Sequence, residues 1–366
     1  MKVLSLFDGI SCARVALERA GIPVEAYYAS EVDKYAIQIS NKNYSKIKQV
    51  GDIKEVMFKP LISIKSNGII PENIDLLIGG SPCQDLSIAK KNRKGLDGER
   101  SGLFWEYVRI LSEVKPKYFI LENVNSMPKE AKQLITDTLG VEPIMINASL
   151  VSAQNRKRLF WTNIPGVTQP EDRGILLKHI LEPKVDDSFI VKDKSNTIRT
   201  SGRGSGIDDK HNWDTIRIGE FNKGGQGDRI YSPEGKSVGL SALGGGRGAK
   251  TGLYAIVPEA TKKGYAIAND GDSIDLSFLN SKTRRGRVGN KVKNLMTSQN
   301  IGVFTNSIIR KLTPIECERL QGLPDNYTEG VSNSQRYKML GNAFNVDVVA
   351  HILSFIKNLS TPTPLP

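Results

Sequence analysis

Through the first half of the chain, short apolar runs alternate with stretches of helical periodicity. No other feature narrows the possible fold as much. Val3–Phe7 reads as a strand, and Ala13, Ala16, Leu17 and Ala20 then form a helical stripe that stops at Gly21. A second strand covers Ala26–Ala29 and ends at Glu31, and Ile74–Ile78 is a third, bounded by turn residues. Phe104, Tyr107, Val108 and Leu111 mark a helix closed by Lys115-Pro116, and Tyr118–Leu121 is a strand running out into Glu122-Asn123-Val124. Ala131, Leu134, Ile135 and Thr138 mark another helix, and Pro143–Ile146 and Arg158–Trp161 two final strands. The pattern predicts an α/β fold with a doubly wound, mostly parallel sheet covered by helices.

Between about residues 185 and 305 the helical periodicity stops, and glycine, serine and basic residues dominate. Arg229–Ser237 with Gly252–Tyr254, and Arg287–Lys291 with Gly302–Phe304, look like imperfect copies of one β unit. Lys194–Arg199 is a weaker third copy. A glycine-rich linker would not repeat strand-like pieces in this way. The α/β texture then returns: Thr313-Pro314 opens a helix that stops at Gly322, and Val349, Ile352, Leu353 and Ile356 line a last helix with Asn345 as its N-cap. The expected organisation is a catalytic domain over 1–184, a smaller, mainly β insert over 185–307, and a segment over 308–366 that completes the first domain.

The 51 Lys and Arg against 39 Asp and Glu leave a formal charge of +12, which favours a polyanionic partner. Cys12, Cys83 and Cys317 are scattered without CxxC spacing and only three histidines exist, so the sequence offers no structural zinc site and no disulfide framework. No apolar run reaches membrane-spanning length, and a reducing, cytoplasmic setting fits.

Four motifs carry chemistry. Gly79-Gly80-Ser81-Pro82-Cys83-Gln84 follows a strand and places a proline-braced thiol where open α/β sheets put their ligands. A lone cysteine is more often a small buried hydrophobe, so its company decides. Phe7-Asp8-Gly9-Ile10-Ser11 turns from strand into helix, and Glu31 ends the next strand, where a carboxylate grips a ribose hydroxyl. GxGxxG is absent, which favours a nucleoside-type cofactor without pyrophosphate. Glu122 ends a strand, and in Gln154-Asn155-Arg156-Lys157-Arg158 the two arginines lie two apart and share a side of an extended segment. In isolation, Glu122 reads more often as a surface residue in a loop, and the arginines as a solvated strand edge.

In this order, and with Arg310–Gly322 and Gly341-Asn342-Ala343 behind them, these motifs resemble the S-adenosylmethionine-dependent DNA (cytosine-5) methyltransferases. Lys94-Gly95-Leu96 and Leu4–Ile10 look particularly like the animal de novo enzymes, although the compact length is that of prokaryotic or phage enzymes. The resemblance implies Cys83 as the nucleophile at cytosine C6. Glu122 would act at N3 if burial keeps its carboxyl protonated or proton-sharing near neutrality, and Arg156 or Arg158 would contact O2 or the target phosphate. It implies S-adenosylmethionine held by Phe7, Asp8, Gly9, Ile10, Glu31, Val32, Asp52, Ile53, Pro82, Asn342 and Ala343. Double-stranded DNA would be bound by a monomer through Gln84, Ser87, Ile88, Lys94 and Arg100 on a mobile loop and through Arg229, Arg247, Arg285 and Arg287 in the insert, with no metal and no membrane. Rival readings are an RNA cytosine-5 methyltransferase, which would use the same Cys–Glu pair, and an inactive DNA-binding module.

Overall fold

The computed structural model describes residues 1–58, 69–70, 73–82, 102–183, 185, 217–220, 229–231, 255–261, 265–277, 281, 283–295, 301–305 and 308–358. Its residues form two compact units: Met1–Ile175 with Asn294–Ser298 and Cys317–Pro366, and Leu176–Lys293 with Gln299–Glu316. The composition change lies at about residue 185, but the chain between Leu176 and that point is tied into the second unit. Leu177 N–H donates to the Asn290 carbonyl, and Thr313 donates its hydroxyl to Glu182.

In the first unit the elements run β1 (Lys2–Leu6), α1 (Cys12–Arg19), β2 (Ala26–Ser30), α2 (Lys34–Asn43), β3 (Lys48–Gln49), β4 (Met57–Phe58), β5 (Ile69–Ile70), β6 (Leu76–Gly80), α3 (Leu103–Val114), β7 (Tyr118–Val124), α4 (Lys129–Leu139), β8 (Ile144–Asn147), β9 (Gln154–Asn155) and β10 (Lys157–Thr162). Seven of these strands form one sheet in the order β3-β2-β1-β6-β7-β10-β8. β1 pairs in parallel with β2 (Leu4 opposite Tyr28) and with β6 (Leu4 opposite Leu77), and β6 pairs in parallel with β7 (Gly80 opposite Glu122). Only β10 runs against its neighbours. Val3, Leu4, Leu6, Leu76, Leu77 and Ile78 are all fully buried, as both faces of a helix-covered parallel sheet require. Phe104, Tyr107 and Ile110 of α3 pack into the same core as Leu121 and Trp161.

Local chemistry sets the ends of these elements. The Asp33 carboxylate accepts from Tyr35 N–H and Ala36 N–H to start α2, and Lys115 takes a left-handed conformation to end α3 ahead of Pro116. The chain leaves β1 towards β2 and β3, then returns to β6 on the other side of β1. Their carboxyl ends therefore diverge, and in sheets of this class that divergence opens the ligand crevice.

The C-terminal part contributes α5 (Pro314–Leu320), α6 (Asn333–Asn342) and α7 (Val346–Asn358). Thr313 and Glu316 form a reciprocal capping box around Pro314: Thr313 N–H donates to Glu316 Oε2, and Glu316 N–H donates to Thr313 Oγ1. Asn345 Oδ1 accepts from Val348 N–H, the N-cap anticipated for α7. By length and composition Asn333–Ile356 is apolar enough to cross a bilayer, contrary to the expectation from the sequence. It consists of α6 and α7 rather than one unbroken span, and 67% of its most apolar window is buried within the chain, as in core helices.

Among its described residues, the second unit carries β11 (Arg217–Glu220), β12 (Arg229–Tyr231), β13 (Ala255–Pro258), β14 (Tyr265–Ala268), β15 (Ser273–Asp275), β16 (Val288–Gly289), β17 (Val292–Lys293), β18 (Ile301–Thr305) and β19 (Ile308–Lys311). β11–β12 and β13–β14 are antiparallel pairs, and a four-stranded antiparallel sheet has the order β16-β15-β18-β19. Val257, Ala268, Ile274 and Phe304 form a small core. Of the repeated segments, β12 holds the start of the first, and β16 and β18 hold parts of the second. Lys194–Arg199 and Gly252–Tyr254 lie outside the described residues.

A Cβ at Gly79 would sit 2.9 Å from the Leu6 carbonyl oxygen and 3.3 Å from the Tyr107 ring. Gly79→Ala is therefore expected to destabilise the β1–β6 pairing by about 1–3 kcal/mol. The measurement is the thermal-unfolding midpoint, and an unchanged midpoint would show that β6 can shift without loss.

Candidate active site

The turn after β1 is strained. Phe7, Gly9 and Ser11 all have positive φ (56°, 61° and 61°), and two of the three are not glycine. Buried hydrogen bonds hold this shape. The Asp8 carboxylate accepts from Ser11 Oγ and from Tyr27 Oη, each at 2.6 Å, and Ser11 Oγ lies 2.6 Å from Ser40 Oγ on α2. Tyr327 Oη donates to the Ile10 carbonyl at 2.8 Å. Burial raises the Asp8 carboxyl to a pKa of about 6, against the lowering effect of its hydroxyl donors.

Beside this turn, Glu31 accepts from Gly9 N–H at 2.8 Å and from Val32 N–H and Asp33 N–H at 2.7 and 2.8 Å. Val32 is exposed, and Asp52 is half-buried after Gly51, which has a φ of 81°. The side chains of Asp8, Ile10 and Ile53 are buried. Asn342 is exposed, and Pro82 is half-buried where the described part of the chain after β6 ends.

At the ends of β6 and β7 the chemistry changes. Gly80 lies opposite Glu122 in the sheet, and a Cβ there would meet the Phe344 ring at 2.8 Å and Glu122 Oε2 at 3.1 Å. Phe160 of β10 faces Glu122 from the other side. Glu122 Oε1 is 2.8 Å from Arg158 Nε, with both side chains about seven-eighths enclosed. The acid is thus part of an ion pair. Glu122, Arg158, Phe160, Phe344 and Val348 line a small recess at this point. Asn123 Nδ2 donates to Ser81 Oγ at 3.0 Å, tying the segment after β6 to β7.

Arg156 departs from the role expected for it. It is 4% exposed, and its guanidinium donates to the Gly341 carbonyl (3.2 and 3.3 Å) and to the Ala343 carbonyl (2.9 Å). These carbonyls close the last turn of α6, where a cation meets both unsatisfied acceptors and the negative end of the helix dipole. The two arginines therefore divide the work: Arg156 caps a helix and Arg158 faces the acid. Asn294 Oδ1 accepts from both, at 3.1 Å and 3.4 Å. Neither Asn294 nor Phe344 belongs to a motif read from the sequence. Phe344 follows Asn342-Ala343 directly and could have been found by extending that match.

Of the three cysteines, Cys12 and Cys317 are buried, and burial pushes the Cys12 thiol up. Cys83, Gln84, Ser87, Ile88, Lys94, Arg100 and Arg247 lie outside the described residues, as does the side chain of Arg229. Arg285 is exposed, with Nε donating to the Ala260 carbonyl. Arg287, expected to contact DNA, is instead 1% exposed and donates to the Asp275 and Ser277 carbonyls inside the second unit. A glycine-flanked arginine in a basic run looks solvent-facing in sequence, and only the strand pairing around it shows that it is enclosed.

A doubly wound sheet with an open glycine turn at its switch point, and with Glu122 and Arg158 on β7 and β10 beyond it, has the architecture of the α/β methyltransferases. The sequence model for C-5 cytosine-specific DNA methylases matches residues 1–358, and the chain belongs to that family. It is 30% identical to the type II methyltransferase M.HhaI of Haemophilus parahaemolyticus, across 96% of this chain and 93% of the relative. It is 26% identical to the orphan methyltransferase M.SPRI of Bacillus phage SPR, across 96% of each. The solved structure of the Entamoeba histolytica methyltransferase EhMeth shares its fold, with a TM-score of 0.56 at 17% identity and 99% of each chain covered. Family members use S-adenosylmethionine. The turn is compatible with that group: a Cβ at Gly9 would meet nothing within 4 Å, and the adjacent Glu31 carboxylate is already oriented by three backbone N–H donors.

The Asp8 environment predicts a pH dependence. An unfolded Asp ionises near 3.8 and the folded Asp8 near 6, so between these values the folded chain keeps the extra proton. Stability contributed by this group is complete below about pH 3.8, falls as pH rises, and is lost above about pH 6. The full loss is on the order of 3 kcal/mol. Asp8→Asn is expected to flatten this slope. Thermal-unfolding midpoints of both proteins between pH 4.5 and 7.5 measure it, and parallel curves would show that Asp8 does not titrate in this range.

Proposed function

We propose that this protein methylates C5 of cytosine in double-stranded DNA, with S-adenosylmethionine as methyl donor and Cys83 as nucleophile. The observation that carries the reading is the Glu122–Arg158 pair opposite Gly80, three residues before Cys83. Cytosine C5 is a poor nucleophile until the aromatic ring is interrupted. Addition of the Cys83 thiolate to C6 does this, giving C5 enamine character. Electron density moves towards N3, where Glu122 shares a proton, and the same carboxyl accepts from the N4 amino group and so distinguishes cytosine from thymine. Arg158 holds Glu122 and contacts O2 or the target phosphate. S-Adenosylmethionine supplies an electrophilic methyl group at its sulfonium. Loss of the C5 proton and β-elimination of the thiolate then restore the aromatic ring and free Cys83.

By this reading Glu31 takes the ribose hydroxyls, Asp52 the adenine amino group, and the backbone of Phe7–Ile10 the methionine side together with Pro82, Asn342 and Ala343. The buried state of Cys12 and Cys317 supports Cys83, because a nucleophilic thiol must be reachable and ionisable. The net charge of +12 supports a polyanionic substrate. Cytosine in a duplex must be flipped out to reach these groups, and the basic segment from Asp85 to Gly102 and the insert are the parts assigned to DNA. The relatives M.HhaI and M.SPRI support service as a restriction-modification or orphan methylase in the cytoplasm of a prokaryotic host.

Plasmid DNA recovered from cells expressing the protein and sequenced after bisulfite treatment is expected to show 5-methylcytosine at one short sequence. In purified form, Cys83→Ser is expected to lower methyl transfer from radiolabelled S-adenosylmethionine at least about a thousand-fold. Incorporation into tRNA with none into plasmid DNA would overturn the DNA assignment. Full activity of Cys83→Ser would overturn the nucleophile.

A further inference from the structure

Arg158 is held from several sides. Its Nε meets Glu122 at 2.8 Å, its Nη1 donates to the Lys157 carbonyl at 2.9 Å, and its Nη2 donates to Asn294 Oδ1 at 3.4 Å. The Asn294 contact is the one that comes from far along the chain. Asn294 opens a short stretch, Asn294–Ser298, that belongs to the first unit and lies between two segments of the second. Its amide oxygen also accepts from Arg156 Nη1 at 3.1 Å. Arg156 is itself held on the Gly341 and Ala343 carbonyls. A single oxygen thus joins a buried, immobile guanidinium to the one that faces the acid.

We propose that Asn294 is a positioning residue for methyl transfer, which uses the clamped Arg156 as an anchor to keep Arg158 Nε directed at Glu122. The inference rests on the proposed function, since it assumes that Arg158 and Glu122 serve the reaction. The residue type fits the task. A neutral amide oxygen accepts from both guanidiniums without neutralising either, so among the described residues the Glu122 carboxylate is the anion that Arg158 pairs with. A carboxylate at position 294 would compete for Arg158 at short range and draw it off Glu122. An alanine there would leave Arg158 Nη2 without its distal partner and the guanidinium held only by Glu122 and the Lys157 carbonyl. Neither change touches the β1–α1 turn or the end of β2, where Phe7–Ile10, Glu31 and Val32, the larger part of the proposed cofactor residues, lie.

The test uses the full-length protein, plasmid DNA carrying the site found by bisulfite sequencing, and radiolabelled S-adenosylmethionine. Asn294→Ala is expected to lower kcat about ten- to a hundred-fold, the loss of one hydrogen bond to a charged group. Its affinity for S-adenosylhomocysteine, measured by titration calorimetry, should stay within about two-fold of the parent, a margin that corresponds to less than half a kcal/mol. In an Arg158→Ala background the same substitution should cost nothing further, because non-additivity is the mark of two residues acting as one. An equal fold-loss in both backgrounds would overturn the proposal, as would a kcat unchanged from the parent. Asn294→Asp keeps the size and the acceptor, so a purely structural Asn294 would tolerate it. The proposal expects kcat to fall as with alanine, and parental activity would overturn it. This variant also decides the matter if Asn294→Ala does not fold. Should Arg158→Ala alone retain full kcat, the assignment of Arg158 in the proposed function fails and takes this inference with it. That outcome is read from the single variant before any pair is compared.

Discussion

The missing side chains at Gly79 and Gly80 are the constraint on which both sheet and site depend. At Gly79 the backbone of β6 lies against the Leu6 carbonyl and the Tyr107 ring, so β1 and β6 pair tightly where the sheet reverses direction. One residue on, the Phe344 ring and the Glu122 carboxylate enter the space that a Cβ at Gly80 would occupy. The first glycine thus serves the pairing of β1 with β6, and the second leaves room for the Phe344 ring and the Glu122 carboxylate. Because the two are adjacent in a strand, they face opposite sides of the sheet. The strand can be pinned to the core on one face and open to a reactive group on the other. The β6–β7 register then sets Gly80 beside Glu122.

Two of the buried polar clusters in the first unit are held differently. Around Asp8, two hydroxyl donors offset only part of the cost of enclosing a carboxylate, and the pKa of about 6 records the remainder. What that cost secures is local: three positive-φ residues in five, held at the end of the strand that opens the crevice. Arg156 is enclosed to a similar degree, but the backbone carbonyls at the end of α6 answer its charge. The first cluster trades stability for a strained turn, whereas the second fastens the returning C-terminal helices to the catalytic strands.

Much of this architecture could be read in the chain. Continuous apolar runs such as Leu76–Ile78 announce strands buried on both faces, and Lys115-Pro116 and Asn345 mark helix ends through local chemistry that needs no tertiary partner. Glu122 could be located because it ends an apolar run. The partners of Arg156 were not legible, since Gly341 and Ala343 lie more than 180 residues away and their carbonyls become acceptors only where α6 stops. Asn294 was hidden for the same reason, and it also sits in a lysine-rich stretch that resembles the insert it leaves. Arg287 shows the reverse error: a basic, glycine-rich context suggested a surface residue, while strand pairing encloses it.

Two arginines at alternate positions of an extended segment suggest a shared task, yet their charges are balanced by different means. Had both faced Glu122, one carboxylate would have two cations competing for it, and the geometry of the pair would depend on which one was nearer. Placing Arg156 on helix-end carbonyls removes it from that competition without removing its charge from the neighbourhood. Arg158 is left as the partner of Glu122, with its approach set by Asn294 and the Lys157 carbonyl. In the proposed reaction, a base entering the recess meets an acid whose position is already set by Arg158. This preorganisation matters for a reaction in which charge develops on a ring nitrogen only after the nucleophile adds.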